Sequence, residues 1–451
     1  MTEHIYMKKI ITITILLSAC IPVFLFAQDS TFMHLPANWS LEECIKYAKQ
    51  NNIQINSLRL NTNSAEEDVK QAKAAVLPNL SGTVSQSLLN GKAENITTGN
   101  FQPNTNFSSS YGLSSAITLY NGGYLKNNIK YNQLALQSSN LSVAETENDI
   151  TLSITQAYLN ILLAGETISY LKEVLATSQV QLNQGQQRFD AGSLAKKDFL
   201  QLQAQLATDQ YNLVNANNNY RLNVVVLKQL LQLPTSYLFI VKVPDTIVVQ
   251  QAYPPLDSAQ STAQYIRPEI KNGQLGIQLA QTNLELLKAA TKPTVSVGAG
   301  LATAYSGSQN YKYAPQLDNN FYQSLGITLG IPIYSRRVNK TNIFKGQIQI
   351  QQASLSLKNT QTVLNQQVEQ AYINLQNSQA QYIAATEQLK ANQEIYNITN
   401  AELKLGAINI LDLQLQKNLY IQALQAFTQS KYTAVLYNKI YAFYTGVPVT
   451  L

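Results

Sequence analysis

Few residues of this chain are equipped for chemistry, and two of them stand in matching places. In Arg188–Gln203 (RFDAGSLAKKDFLQLQ), Gly192 is followed six residues on by Asp198. In Glu402–Lys417 (ELKLGAINILDLQLQK), Gly406 is followed at the same spacing by Asp412. A long amphipathic run stops at each glycine, and another begins near each aspartate. Glycine ends helices in the left-handed conformation, and a carboxylate in the first turn of the next helix is favoured by ~0.3–1 kcal/mol. Each stretch therefore reads as the tip of a helical hairpin. Asp412 has two readings that can coexist: it steadies its own helix, or, repeated around an opening, it forms an anionic constriction that favours cations.

Little else could react. Beyond residue 27 the chain has one histidine, His34, and one cysteine, Cys44, so no disulfide can form within it. The sequence has no metal-ligand cluster, no phosphate-cradling glycine loop and no nucleophile elbow, so no catalytic residue, metal or cofactor is expected. Cys44 lies on an amphipathic helix and reads as packing. Asn95-Ile96-Thr97 spells a glycosylation acceptor by chance. Three methionines give no support to a dedicated copper or silver route.

The charge balance excludes more. Charged residues are 13%, about half the ~25% of ordinary soluble proteins, with Gln, Asn, Ser and Thr in their place. The formal net charge of +6 is spread without a Lys/Arg run, so no nucleic-acid track is expected. Lys8 and Lys9 precede an apolar run from Ile10 to Ala27, which reads as an export signal over residues 1–27. Cleavage after Ala27 is preferred. The alternative is Leu17-Ser18-Ala19-Cys20, which resembles a lipobox and would make Cys20 a lipidated terminus, but it leaves apolar Ile21–Ala27 behind the anchor.

The elements that would position the tips follow from periodicity. Ser40 and Glu43 form a capping box for a helix running to about Val76, before Pro78. Segments Leu80–Leu88 and Phe107–Leu119 alternate apolar with small or polar residues, as strands do, and Asn90–Asn106 between them reads as an exposed loop. A helix is then expected from Asn121 to about Asp190, with seam positions 157, 161, 164, 168, 171, 175, 178, 182, 185 and 189 in alternating four-three spacing. At ~1.5 Å per residue it would be roughly 100 Å long. A return helix spans Asp198 to Leu231.

After a Pro-rich linker at residues 234–262, with a strand-like run at Ile247–Val249, everything recurs. A helix is expected from about Ala263 to Ala290. Strands follow at Thr294–Tyr305 and Phe321–Ile333, flanking a polar loop at Ser306–Asn320. Long helices close the chain at Ser335–Leu405 and Asp412–Tyr444. Gln156-Ala157-Tyr158-Leu159-Asn160 matches Gln370-Ala371-Tyr372-Ile373-Asn374, and the seam, the glycine and the aspartate all share the offset of 214 residues. This is a duplication, with one repeat at 28–233 and the other at 263–451.

Strands of about ten residues with one apolar face suit a transmembrane barrel, and Tyr111, Tyr120, Tyr305, Phe321 and Tyr322 fall near strand ends, where interfacial girdles sit. Four strands cannot close a barrel, and an open edge cannot exist in lipid, so several chains must share one. A periplasmic coiled-coil scaffold or adaptor is the competing reading; it lacks two copies of paired lipid-type strands.

Trp39-Ser40-Leu41-Glu42-Glu43, Ile117-Thr118-Leu119-Tyr120-Asn121-Gly122-Gly123 and the two Gly-x5-Asp tips, in this order and spacing, resemble the TolC family of outer-membrane efflux proteins over nearly the whole chain. That resemblance implies a homotrimer whose three sets of four strands make a twelve-stranded barrel in outer-membrane lipid. It also implies a periplasmic α-helical tunnel and tips that dock on a periplasmic adaptor serving an inner-membrane transporter. Gly192, Asp198, Gly406 and Asp412 would be the docking tip. The family's two carboxylate rings map onto Asp412 and Leu415, so the second is absent. Its tyrosine and arginine that tie the entrance map onto Leu403 and Ile408, which leaves Asp198 without those mates. Arg336-Arg337 replaces Gly122-Gly123 in the second half.

Overall fold

The computed structural model describes residues 36, 38–94, 99–244, 253–309 and 311–451. The chain divides into two units, Met1–Asn38 and Trp39–Leu451; the second carries the described fold. The export signal with Cys20, the residue His34, the Asn95–Thr97 sequon and the Ile247–Val249 run lie outside the described residues.

The capping box forms as the sequence requires: Glu43 N donates to Ser40 Oγ at 3.2 Å and Ser40 N to Glu43 Oε2 at 2.8 Å. The helix it starts is shorter than expected. α1 (Leu41–Asn51) stops at Asn52, and α2 (Ile53–Ala74) begins anew. Asn52 is the cause. Its side chain accepts from Gln54 N and Ile55 N, and its amide donates to the Leu230 carbonyl at 3.1 Å, so it pins the break to the far end of the return helix.

Strands β1 (Asn79–Glu94) and β2 (Phe101–Asn121) follow. They run longer than the alternation suggested, because most of the expected Asn90–Asn106 loop is paired hairpin: Asn90 faces Thr105 and Lys92 faces Pro103. That end has no apolar face, so the period-two signal ends before the strands do. α3 (Tyr124–Asp190) and α4 (Lys196–Leu231) form the first long hairpin.

The second half repeats this order. α5 (Leu256–Ile266) and α6 (Pro268–Ala289) replace the single expected helix, because Pro268 lacks an N–H and therefore begins a helix rather than continuing one. β3 (Thr294–Ser306) and β4 (Tyr322–Gly330) flank α7 (Tyr313–Asn319), a short helix where a plain loop was expected. α8 (Val338–Lys404) and α9 (Ile410–Tyr444) close the chain. α3 and α8 have 67 residues each, about 100 Å at ~1.5 Å per residue.

The four strands make one antiparallel sheet in the order β1-β2-β3-β4. Directly paired residues share a face: Val84, Tyr111 and Thr303 on one side, and Leu113, Leu301 and Gln323 in the next row. That side also holds Leu80, Ile117, Val297, Leu325 and Ile327; the other is Ser, Thr, Gly and Ala with few exceptions. Leu325 and Ile327 are 79% and 74% exposed, so no described residue covers that part of the apolar face. No helix among the described residues is long and apolar enough to cross a membrane.

The helical seams are buried or half-buried at all twenty positions of the two copies. Where the hairpins approach the linker, each half forms a tyrosine-anchored cluster. Trp39 is fully buried and pairs with Val241, and the Tyr158 hydroxyl lies 3.2 Å from the Trp39 carbonyl oxygen and donates to the Lys242 carbonyl at 2.6 Å. In the second half, Tyr441 donates to the Pro254 carbonyl at 2.8 Å over a core of Ala263, Ile270, Val368 and Leu375. Burial pushes the Cys44 thiol up to about 12, in keeping with a packing role.

Candidate functional site

The first hairpin tip closes by a double hydrogen bond, Ser193 N to Arg188 O at 2.8 Å and Gly192 N to Phe189 O at 2.9 Å. The second does the same, with Ala407 N to Glu402 O at 3.0 Å and Gly406 N to Leu403 O at 3.1 Å. This closure requires a left-handed residue at the glycine, and φ is 72° at Gly192 and 76° at Gly406.

The return helices begin slightly before the aspartates. Ala195 and Asn409 are the caps, so Asp198 and Asp412 occupy the third position of their helices. There a carboxylate faces the positive end of the helix dipole. Asn409 Oδ1 also accepts from Asp412 N at 3.0 Å, a bond that Ala195 cannot supply for α4. Asp412 is exposed and Asp198 half-buried. The first tip gains a stacked pair instead, Phe189 on Phe199 at 5.1 Å; their counterparts are Leu403 and Leu413.

The two hairpins meet just behind their tips. Gln414 Nε2 donates to the Gln201 carbonyl at 3.4 Å, and Arg188, Leu202, Leu403, Lys404 and Leu413 line a shared groove. Leu415 points to solvent, 57% exposed. Gly185, a seam position, is closed upon by Leu202, and a Cβ there would collide with it. A small residue is needed at that point for the helices to touch.

Farther from the tips lies a feature that the sequence did not reveal. Lys417 Nζ sits 3.2 Å from Asp209 Oδ2 and also donates to Ser178 Oγ, which in turn donates to Asp209 Oδ2. Gln205 Nε2 completes the carboxylate's shell at 2.9 Å. Both charged side chains are only 3% exposed. Burial pushes the Lys417 ammonium down from its ordinary range, and the Asp209 charge opposes that shift. The cluster joins α3 and α4 of the first half to α9 of the second. A second tie joins α3 to α9 nearer the linker: Lys431 Nζ lies 2.7 Å from Glu166 Oε2, and the Tyr432 hydroxyl donates to that oxygen at 2.7 Å. Burial, then the adjacent Glu166, pushes the Tyr432 hydroxyl up. The one local clue to the first tie was a serine, Ser178, at a seam position.

Among the described residues no group of His, Cys, Asp and Glu could hold a metal. The description "Outer membrane efflux protein" fits residues 44–232 and 260–436, one span in each half. Outer membrane protein TolC of Escherichia coli (strain K12) is 23% identical over 428 residues, covering 92% of this chain and 84% of that protein. Outer membrane efflux protein BepC of Brucella suis biovar 1 (strain 1330) is 22% identical, covering 86% and 81%. Among solved structures, CusC, described in terms of folding and transmembrane channel formation, superposes with a TM-score of 0.77 at 18% identity, covering 92% of this chain and 96% of its own. With both halves matched, the chain belongs to the outer membrane efflux protein family: it is an outer-membrane channel of the tripartite efflux class with a large periplasmic helical part, and not an enzyme.

Proposed function

We propose that three copies of this chain close one barrel and one tunnel, a passive exit duct for cargo delivered by an inner-membrane transporter through a periplasmic adaptor, in efflux or type I secretion. The observation that carries this is the open four-stranded sheet. Among the described residues the outer edges of β1 and β4 are unpaired, and most of the apolar face is bare. In lipid both deficits must be met at once, the edges by neighbouring strands and the face by acyl chains. Three such sheets supply twelve strands.

The tips at Gly192–Asp198 and Gly406–Asp412 are the docking surface for the adaptor in this reading, and the Asp412 side chains of the three copies narrow the entrance. The exposure of Asp412 at the second tip supports that role. The position one turn on is Leu415, so the constriction has a single acidic ring.

Reconstitution into a planar bilayer tests the duct. Stepwise conductance with cation preference is expected, and Asp412→Ala is expected to raise conductance and weaken that preference. Unchanged conductance and selectivity would remove Asp412 from the entrance, and the absence of any conductance from a folded particle would remove the duct.

A further inference from the structure

The two strand pairs end differently on the side away from the long helices. β1 and β2 remain paired up to Glu94 and Phe101, whereas β4 joins β3 only from Tyr322, opposite Ala302. The last residues of β3 therefore lack a β4 neighbour, and α7 takes its place. Asn320 Nδ2 donates to the Ala304 carbonyl at 2.7 Å. The Gln316 side chain accepts from Ser306 N at 2.9 Å and donates to the Ser306 carbonyl at 3.1 Å. The Thr303 hydroxyl donates to the Leu317 carbonyl at 2.5 Å. Gln316 is 2% exposed, so this is a built seat rather than a loose contact. A bare strand edge is costly in hydrocarbon, and here side chains close it.

α7 also chooses a side of the sheet. The Tyr313 hydroxyl lies 2.7 Å from that of Tyr111, and the Tyr313 ring lies 4.7 Å from that of Tyr305. Tyr111 and Tyr305 belong to the apolar face, since Tyr111 pairs with Thr303 and Tyr305 with Ser109. Ser109 beneath them is buried. The helix thus rests on the face that looks toward lipid in a barrel. Its outer edge presents Tyr311, Lys312 and Tyr313, all exposed, with exposed Phe321 beside the first residue of β4.

We propose that α7 is a membrane-surface anchor: it lies outside the barrel at the level of the outer-leaflet headgroups, with Tyr311-Lys312-Tyr313 in contact with them. The inference rests on the family reading, which puts the apolar face in lipid, and on the unbroken continuity of that face from Leu325 and Leu301 up to α7. Tyrosine and lysine suit this depth, because each joins an apolar body to a polar end that stays wet. The anchor fixes how deep the barrel sits on the side where β4 is short. The β1–β2 hairpin, paired to its end, needs no such cover.

The test labels single cysteines with an environment-sensitive fluorophore in the full chain, reconstituted in phosphatidylcholine–phosphatidylglycerol vesicles. Buried Cys44 stays unlabelled. Tyr311→Cys reports on α7, Leu325→Cys on the strand face and Ser324→Cys on the opposite face. Nitroxide lipids carrying the spin either near the headgroup or deep in the acyl chain serve as quenchers. The label at 311 is expected to lose most of its emission to the shallow nitroxide and little to the deep one, while that at 325 responds to the deep one and that at 324 to neither. Emission at 311 untouched by both, with 325 quenched, would overturn the anchor and leave the barrel standing. Emission at 325 untouched would instead overturn the outward apolar face on which the anchor rests.

Discussion

Where a strand hands over to its long helix, the two halves of the chain use the same backbone and opposite residues. In the first half, Gly122 and Gly123 take φ of 68° and 89°; in the second, Arg336 and Arg337 take 46° and 69°. The difference lies in what surrounds them. A Cβ on Gly122 would meet the Ala289 carbonyl oxygen and Lys292 Cβ, both at 2.7 Å. Arg336 and Arg337 are exposed. The first junction is thus held by packing against the end of α6, and only glycine fits. The second touches the end of α6 through Asn339, whose Nδ2 donates to the Ala290 carbonyl at 3.1 Å, and carries the cost of two non-glycine residues in the left-handed region, about 1–2 kcal/mol each. Duplication has kept the geometry and let the chemistry diverge.

The same divergence appears along the tunnel. Asp209 has Ala423 as its counterpart, Lys417 has Gln203, Ser178 has Asn392 and Glu166 has Ala380, so neither tie has a copy. Each is made between halves, where α9 crosses the first hairpin.

The largest break in this comparison is expected at the buried pair. Asp209→Ala leaves the Lys417 ammonium without its carboxylate, which costs about 3–5 kcal/mol, whereas Asp209→Leu with Lys417→Met removes both charges and costs far less. Thermal unfolding of the detergent-solubilised protein should therefore rank the double variant well above either single one. Singles that melt no lower than the double would mean that the pair carries little of the contact between halves. A smaller effect separates the junctions. Gly122→Ala combines left-handed strain with overpacking and should destabilise by about 2–4 kcal/mol. Arg336→Gly should stay within about 1 kcal/mol of the parent, since relief of strain is offset by a more flexible unfolded chain. Equal losses at the two sites would refute the packing argument for Gly122.

Much of this was legible in the sequence, and what was not has physical causes. The seams showed because a hundred-ångström helix repeats its burial pattern many times over. The tips showed because a glycine with positive φ has few substitutes. The full length of β1 and β2 did not show, because beyond Leu88 neither face is apolar and the pairing leaves no alternation behind. α7 stayed hidden because a seven-residue helix containing Pro315 has no periodicity to read, and its seat depends on Gln316 reaching Ser306. The break at Asn52 was signalled only weakly, by a polar residue whose capping role requires the Leu230 carbonyl from 178 residues away. The Asp209–Lys417 tie joins residues 208 apart in sequence and follows no spacing rule.

The central claim is that one open sheet per chain is completed by identical neighbours. Light scattering on the detergent-extracted particle, corrected for bound detergent, tests it most directly. The account predicts a protein mass of about three chains, each near 50.0 kDa before any processing. A folded particle with the mass of one chain, soluble without detergent, would contradict it.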